Sequence, residues 1–318
     1  MSLRPAAPVP TVVRPRRTTP LRAEEAADRG IVSRGDRSRP LVRFGLGAIH
    51  VAVLIGLVIA GLGPVIWLAL ASVSSTQDIV REPLTLLSDG RVLWENLTTA
   101  WVRGRIGEAL GNSAALAVGS TLTTLFVSTT AAYVLSVLRP RWGGLLSGAI
   151  LATLFVPGVI SLVPLYLTII ELPVVEVRLI NTFWAVWLPA GASAFNVVII
   201  KRFFDSIPGE LFEAARVDGA GALRTFLLIV LPLSRPILGV VALLSIVASW
   251  KDYLWPLLVL TDTDLQPVSV ALPRLAEYSE LNVQLAALFL ALLVPVVLFL
   301  IFQRQFLRGI GTAGSVKG

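Results

Sequence analysis

The chain has 318 residues, 55% of them hydrophobic and 15% charged, with a mean hydropathy of +0.79. Its apolar residues gather in runs roughly twenty long rather than at half-buried helical spacing, which excludes an ordinary soluble domain and defines a polytopic, all-α membrane protein. It has no cysteine, which excludes disulfides, thiolate metal sites and cysteine nucleophiles, and its net charge of +7 reads as a topology signal rather than as nucleic-acid binding.

Residues 1–40 carry Arg4, Arg14, Arg16, Arg17, Arg22, Arg29, Arg34, Arg37 and Arg39 with several prolines and little that could form a core. That is the composition of a disordered, solvated tail. The first apolar run begins near Leu41 and outlasts the hydrophobic region of a secretory signal. Six transmembrane helices are expected at about 44–73, 108–137, 144–169, 182–200, 236–258 and 283–303. His50, the single histidine, falls near one end of the first and reads as an interfacial or packing residue rather than a proton relay. Trp94, Trp101 and Trp142 read as interfacial anchors. Pro157, Gly158 and Pro164 lie inside the third span and predict a kinked or locally unwound helix, resatisfied by neighbours or by a polar cavity.

A cytoplasmic amino terminus places Arg43, the tail arginines, Arg139, Arg141, Lys201, Arg202, Arg216, Arg224, Arg235, Arg304, Arg308 and Lys317 inside. Only Arg81, Arg91, Arg103, Arg105, Arg178 and Arg274 then fall outside, so the positive-inside bias predicts cytoplasmic amino and carboxyl termini in an inner membrane. The segment 202–235, between the fourth and fifth spans, then faces the cytosol. In "SIPGELFEAA", Ser206 is a candidate cap and Pro208 suits a first helical turn, where its missing N–H costs nothing. Gly219 and Gly221 break that helix, a helical pattern resumes over Leu223–Leu231, Pro232 ends it and Pro236 opens the next span. The expected object is a short helix, a glycine bend and a second short helix, with small alanines on one surface suited to close packing.

Catalytic parts are missing from the sequence. It has no G-x-x-x-x-G-K-[S/T] stretch, so a nucleotide must be held by a partner, and one histidine cannot furnish a histidine metal site or a Ser-His-Asp triad. A lipid-modifying enzyme would need intramembrane His, Asp or Glu clusters, which are also missing; a passive channel is the other rival. Lys251 and Asp252 fall in the outer half of the fifth span, where a central charge costs about 2.5–3.5 kcal/mol on insertion scales. Both therefore need partners or a polar cavity, or Lys251 snorkels to the headgroups. As neighbours on a continuous helix they point to different faces. With Trp250, Tyr253 and Trp255 and the amides of Asn112, Asn181 and Asn196 they form a candidate substrate pathway, a mixture of flat apolar faces and polar groups that suits sugars.

The spacing Glu213-Ala214-Ala215, three residues, Gly219, nine residues, Ile229, one residue, Leu231-Pro232 resembles the signature loop of the membrane subunits of bacterial ABC importers. "NSAALAVGSTLTTLFVSTTAAYVLS", "LFVPGVISLVPLYL", "LINTFWAVWLP", "IKRFFDSIPGELFEAARVDGA", "SWKDYLWPL" and the terminal "RQFLRGIGTAGSVKG" extend the resemblance over 41–318, to the second permease of the maltose-type carbohydrate branch. Lys251 stands where that branch usually has asparagine, and the tail is longer than usual. The resemblance implies a type I importer permease fold in which Glu213, Ala214, Ala215, Asp218, Gly219, Ile229, Leu231 and Pro232 form coupling helices docked on an ATPase. It further implies a second homologous permease, two ATPase subunits carrying ATP and magnesium, and an external sugar-binding protein. The chain itself would hold no cofactor or metal and make no covalent bond. The expected solute is an oligosaccharide, a disaccharide or a sugar derivative, with a polyol or glycerol phosphate as the alternative.

Overall fold

The computed structural model describes residues 40–85, 90–172 and 177–314, without the side chains of 41–43, 302 and 304–314. The arginine-rich tail and Lys317 lie outside the described residues. The described residues are helices and connections without a strand. The chain divides at Pro64 into two units. The described part of the first is the opening of α1 (Pro40–Ala71), whose apolar side chains, among them Leu54, Leu57 and Ile59, are exposed. His50 is exposed there, its Nδ1 2.7 Å from the carbonyl of Leu46.

The second unit runs through α2 (Thr76–Arg81), α3 (Glu95–Val102), α4 (Ile106–Leu138), α5 (Gly143–Thr153), α6 (Gly158–Ile170), α7 (Trp184–Gly191) and α8 (Ala194–Asp205). It continues through α9 (Gly209–Val217), α10 (Ala222–Leu233), α11 (Arg235–Lys251), α12 (Leu254–Val259), α13 (Val268–Ala276) and α14 (Leu281–Gly314). Among the described residues, three helices are long and apolar enough to cross a membrane: Phe44–Ala71, α4 and Leu281–Ile301. Three consecutive pairs meet that measure only when joined across a bend: α5–α6 at 108°, α7–α8 at 45° and α10–α11 at 78°. The first bend falls at the expected Pro157, whose extended backbone (ψ 129°) precedes the restart of the helix at Gly158.

α4 is the centre of the unit, packed against α7, α8, α11 and α13. Its buried face is hydroxylated and small, with Ser113, Ala117, Ser120, Thr124, Ser128 and Ala132 recurring every third or fourth residue, while Val118, Leu122 and Phe126 are exposed. In lipid this inverted pattern is favourable, because small residues let backbones approach and the apolar side meets acyl chains. Thr124 donates to the carbonyl of Ala190 at 2.9 Å, and Thr123 and Thr129 satisfy their hydroxyls on Gly119 and Leu125 of their own helix. The closest approach is at Gly119, where a Cβ would sit 2.1 Å from Cε2 of Trp187. Above and below lie apolar clusters, one of Leu116, Val186 and Val259, another of Tyr133, Ile200, Phe204 and Val230.

Two elements correct the spans expected from sequence. The fifth does not run to 258: α11 ends at Lys251, Asp252 is extended (φ −69°, ψ 122°), and α12 starts after the break. Between α12 and α14 the amphipathic α13 buries Val268 and Ala271 against Ala109 and Ala291. Asn96, buried in α3, donates to the carbonyls of Ser72 and Ser74 at 3.3 and 3.0 Å and accepts from Asn282 at 2.9 Å, fastening α3 to α14.

Gly119→Ala is expected to destabilise the unit by about 1–3 kcal/mol, the usual range for overpacking a filled interior. Thermal melting of the purified protein checks this, and combination with Trp187→Phe should recover part of the loss.

Candidate functional site

The α8–α11 connection has the expected shape with a shifted start. Ser206 does not cap α9; it closes α8, its hydroxyl donating to the carbonyl of Phe203 at 2.6 Å, and Pro208 takes the capping position instead of the first turn. α9 ends as a paired C-terminal motif, with Gly219 N–H on the carbonyl of Arg216 (3.0 Å) and Ala220 N–H on that of Ala215 (2.8 Å). The motif requires a left-handed residue, and Gly219 has φ +72°. Pro232 does not end α10, which continues to Leu233 through a wider turn over Phe226–Val230, where Leu231 N–H reaches back to Phe226. The bend follows at Ser234.

Of the expected coupling residues, Glu213, Ala214, Asp218 and Pro232 are exposed, Ile229 and Leu231 half-buried, and Ala215 buried, so the two alanines do not form one surface. Glu213 borders a cleft of about 340 Å³ with Arg139, Asp205 and Arg216; Asp218 and Ile229 border a hollow of about 210 Å³ with Arg224. The connection is fastened to the end of α4. The Tyr133 hydroxyl donates to the carbonyl of Ala222 at 2.8 Å, and its ring lies 4.9 Å from that of Phe226. Ser136 donates to Asp205 at 2.6 Å, and Lys201 pairs with the same carboxylate at 2.8 Å. None of these anchoring residues was singled out from the sequence for this task.

A second region is a cavity of about 700 Å³ between α4, α7, α8 and α11, bordered by Ser120, Asn196, Ser245, Lys251, Asp252 and Trp255 among others. The break after α11 brings Lys251 and Asp252 to one cavity, where a continuous helix would have aimed them apart. The backbone N–H of Trp255 faces the Asp252 carboxylate, and Trp255 Nε1 donates to the carbonyl of Ala185 at 3.0 Å.

The other expected pathway residues lie elsewhere. Asn112 donates to the carbonyls of Asp264 and Gln266 at 2.7 and 3.1 Å, and Asn181, left-handed at φ +57°, accepts from Thr261 and the Asp262 N–H. Trp250 packs on the α13 cluster, and Tyr253 opens α12 with its side chain largely exposed. Trp94, Trp101 and Trp142 are exposed. Beside Asn112, Arg105 pairs with Asp264 at 2.6 Å and with Glu108. The guanidinium holds the Asp264 carboxyl below its usual range, and the two carboxylates, Glu108 first, raise Arg105.

Bent apolar helices around a cavity that a few polar side chains border, with a helical knob fastened to the central helix, are the build of a membrane transport subunit. Residues 124–312 match the model of the family described as "Binding-protein-dependent transport system inner membrane component", and the chain belongs to that family. The sn-glycerol-3-phosphate transport system permease protein UgpE of Agrobacterium fabrum is 30% identical over 284 residues, covering 86% of this chain and 97% of its own. The UgpE protein of Escherichia coli O1:K1 is 32% identical over 272 residues, covering 82% and 94%. A chain of a solved bacterial ABC transporter involved in import of the acidic polysaccharide alginate superposes with a TM-score of 0.72 at 22% identity, covering 86% of this chain and 99% of that one. The chain is thus a transport permease with the ABC importer permease fold.

Gly219→Val is expected to lower stability by about 1–2 kcal/mol through left-handed strain, with Gly219→Asn milder, read as faster limited proteolysis within 209–233. Because the folded pKa of Asp264 is depressed, its ion pair stabilises above the unfolded value of 3.8 and is lost as pH falls through the folded value. The melting difference between wild type and Asp264→Asn should therefore be small at pH 7, as for any exposed pair, and vanish in acid.

Proposed function

We propose that this chain is one of two permease subunits of an ATP-driven importer for a hydroxylated solute, a carbohydrate or a sugar derivative such as a glycerol phosphate. The observation that carries the reading is the α9–Gly219–α10 knob, fastened to α4 through Tyr133 and joined at Ser234 to α11, which ends at the cavity. Six spans form when each bent pair crosses once, both termini are cytosolic, and the knob then faces the cytosol beside Arg139, Arg202, Arg216, Arg224 and Arg235.

In the assembled complex, Glu213, Asp218 and the exposed edge of α9 and α10 dock on one of two ATPase subunits, which hold ATP and magnesium. A second homologous permease completes the translocation path, and an external binding protein delivers the solute. Closure of the ATPase pair moves the knob, and α11 and α4 carry that movement to the cavity. The chain itself performs no covalent chemistry. The relatives support this solute class by their own solutes: sn-glycerol 3-phosphate for two of them, and alginate for the solved transporter. A chain of the latter's complex with an alginate-bound periplasmic protein (TM-score 0.59, 16% identity, 81% and 92% covered) supports the binding-protein partner.

Reconstitution with the partner permease, the ATPase and the binding protein in liposomes should give solute uptake that requires ATP and this subunit. As a hypothesis about coupling, Glu213→Ala is expected to weaken ATPase association about thirtyfold, as for loss of one member of a desolvated charge pair, or to raise the ATP hydrolysed per solute. An intact complex with an unchanged ratio would show that Glu213 is not a coupling residue.

A further inference from the structure

One flank of α10 is apolar and has no cover within the fold. Leu223 and Leu227 are 69% and 48% exposed. α10 lies at 78° to α11, so with α11 crossing the membrane α10 runs close to the membrane plane, at the depth where apolar side chains meet the boundary of headgroups and acyl chains. The angle opens a wedge. Between α10, the first turn of α11 and the end of α4 runs a groove of about 650 Å³, bordered by Leu125, Phe126, Val134, Leu223, Leu227 and Leu238 among others. Its α4 wall, from Leu125 to Val134, is roughly 14 Å long at a rise of about 1.5 Å per residue.

The polar groups in that wall are already engaged. Thr129 and Thr130 donate to the carbonyls of Leu125 and Phe126 on their own helix, and Tyr133 donates to that of Ala222. The groove therefore suits hydrocarbon and offers little to a hydroxylated solute. Charge collects at one end of it. Arg224 follows Leu223 in α10, Arg235 stands one helical turn before Leu238 in α11, and the charge of Arg216 reaches the Tyr133 hydroxyl. None of these three guanidinium groups has an ion pair or hydrogen bond among the described residues. Glu213 and Asp218, which border neighbouring clefts with Arg216 and Arg224, pair with neither.

We infer that this groove binds an acyl chain of an anionic phospholipid, with the phosphate among Arg224, Arg235 and Arg216. A long apolar slot with free cations at one end complements a lipid whose hydrocarbon and phosphate are arranged in the same order, and guanidinium forks pair phosphate oxygens well. The inference rests on the importer reading only for its sidedness, which puts the groove in the cytosolic leaflet. A lipid held there packs on α4 and α10 together and so fastens the knob to the bundle beside the Tyr133–Ala222 hydrogen bond.

The test uses the membrane complex of this chain with its partner permease and ATPase pair, in nanodiscs of phosphatidylethanolamine and phosphatidylglycerol without ATP. The chain has no cysteine, and Phe126 at the rim of the groove is 71% exposed, so Phe126→Cys gives this chain one point for a benzophenone label. Photolysis should yield adducts of this chain with phosphatidylglycerol, enriched over the bulk lipid ratio by about fivefold or more on mass spectrometry. In that background Arg224→Gln and Arg235→Gln should each lower the enrichment, by up to about fivefold, the effect of one cation beside an anionic lipid, and Arg235→Lys should keep most of it. Arg202→Gln, on α8 and not bordering the groove, should leave it unchanged.

Adducts at the bulk lipid ratio, or an enrichment that neither arginine substitution lowers, overturn the site, as do adducts mainly with the partner permease, which would show a protein helix in the groove. ATP-driven uptake in liposomes alongside any of those results would leave the importer reading standing and remove only the lipid site. Arginine-dependent enrichment together with solute passage independent of ATP would establish the lipid site and overturn the importer reading.

Discussion

The close approach of α7 and α8 to α4 depends on small side chains, and most of the unit depends on that approach. Apolar burial drives little between helices that could equally face lipid, so packing distance and interhelical hydrogen bonds decide which faces meet. Gly119 under Trp187, Gly191 against Thr123 and Val127, and the Thr124 bond to Ala190 place three points of contact along one seam. Without side chains this small, the cavity between α4, α7, α8 and α11 would be walled at a different spacing. The same face buries the hydroxyl of Ser120, which has no hydrogen-bond partner among the described residues.

A second dependency concerns backbone breaks. Each of the three bent pairs interrupts a helical hydrogen-bond ladder within an apolar stretch, which lipid tolerates only where protein or a cavity meets the freed groups. The bends coincide with Pro157, with the Pro189–Ser193 stretch and with Ser234 beside Pro236. The break at Asp252 is of another kind: it falls at an extended acidic residue, and Pro256 lies beyond it inside α12. There the polar residue both ends one helix and precedes the next, and Lys251 and Asp252 border one cavity.

How much of this was legible in the sequence follows from which signals are local. Long apolar runs, the Pro157 kink and the glycine bend at Gly219 are properties of contiguous residues, and the structure has them. The end of α11 was missed because Trp250 to Leu258 remains apolar on either side of the break, so hydropathy averaged over a span cannot see it. α13 is nine residues long and amphipathic, below the length that a search for spans detects. Asn112, Asn181, Trp250 and Tyr253 were grouped with Asn196, Lys251 and Asp252 by residue type; tertiary geometry divides them, giving Asn112 and Asn181 to loop carbonyls and amides. Ser120 and Ser245 carried no signal, since a serine in a small-residue stripe looks the same whether or not its hydroxyl finds a partner.

The 17 residues of α11 form one helix from the Ser234 break to Lys251. At a rise of about 1.5 Å per residue that rod is roughly 25 Å long. A rotation of about 10° at Ser234 sweeps its far end through about 4 Å, more than the whole working range of a hydrogen bond. Small angular changes on the knob side thus reset the spacing between α11 and α4 at the cavity, so the shape of the cavity and the posture of the connection cannot vary independently.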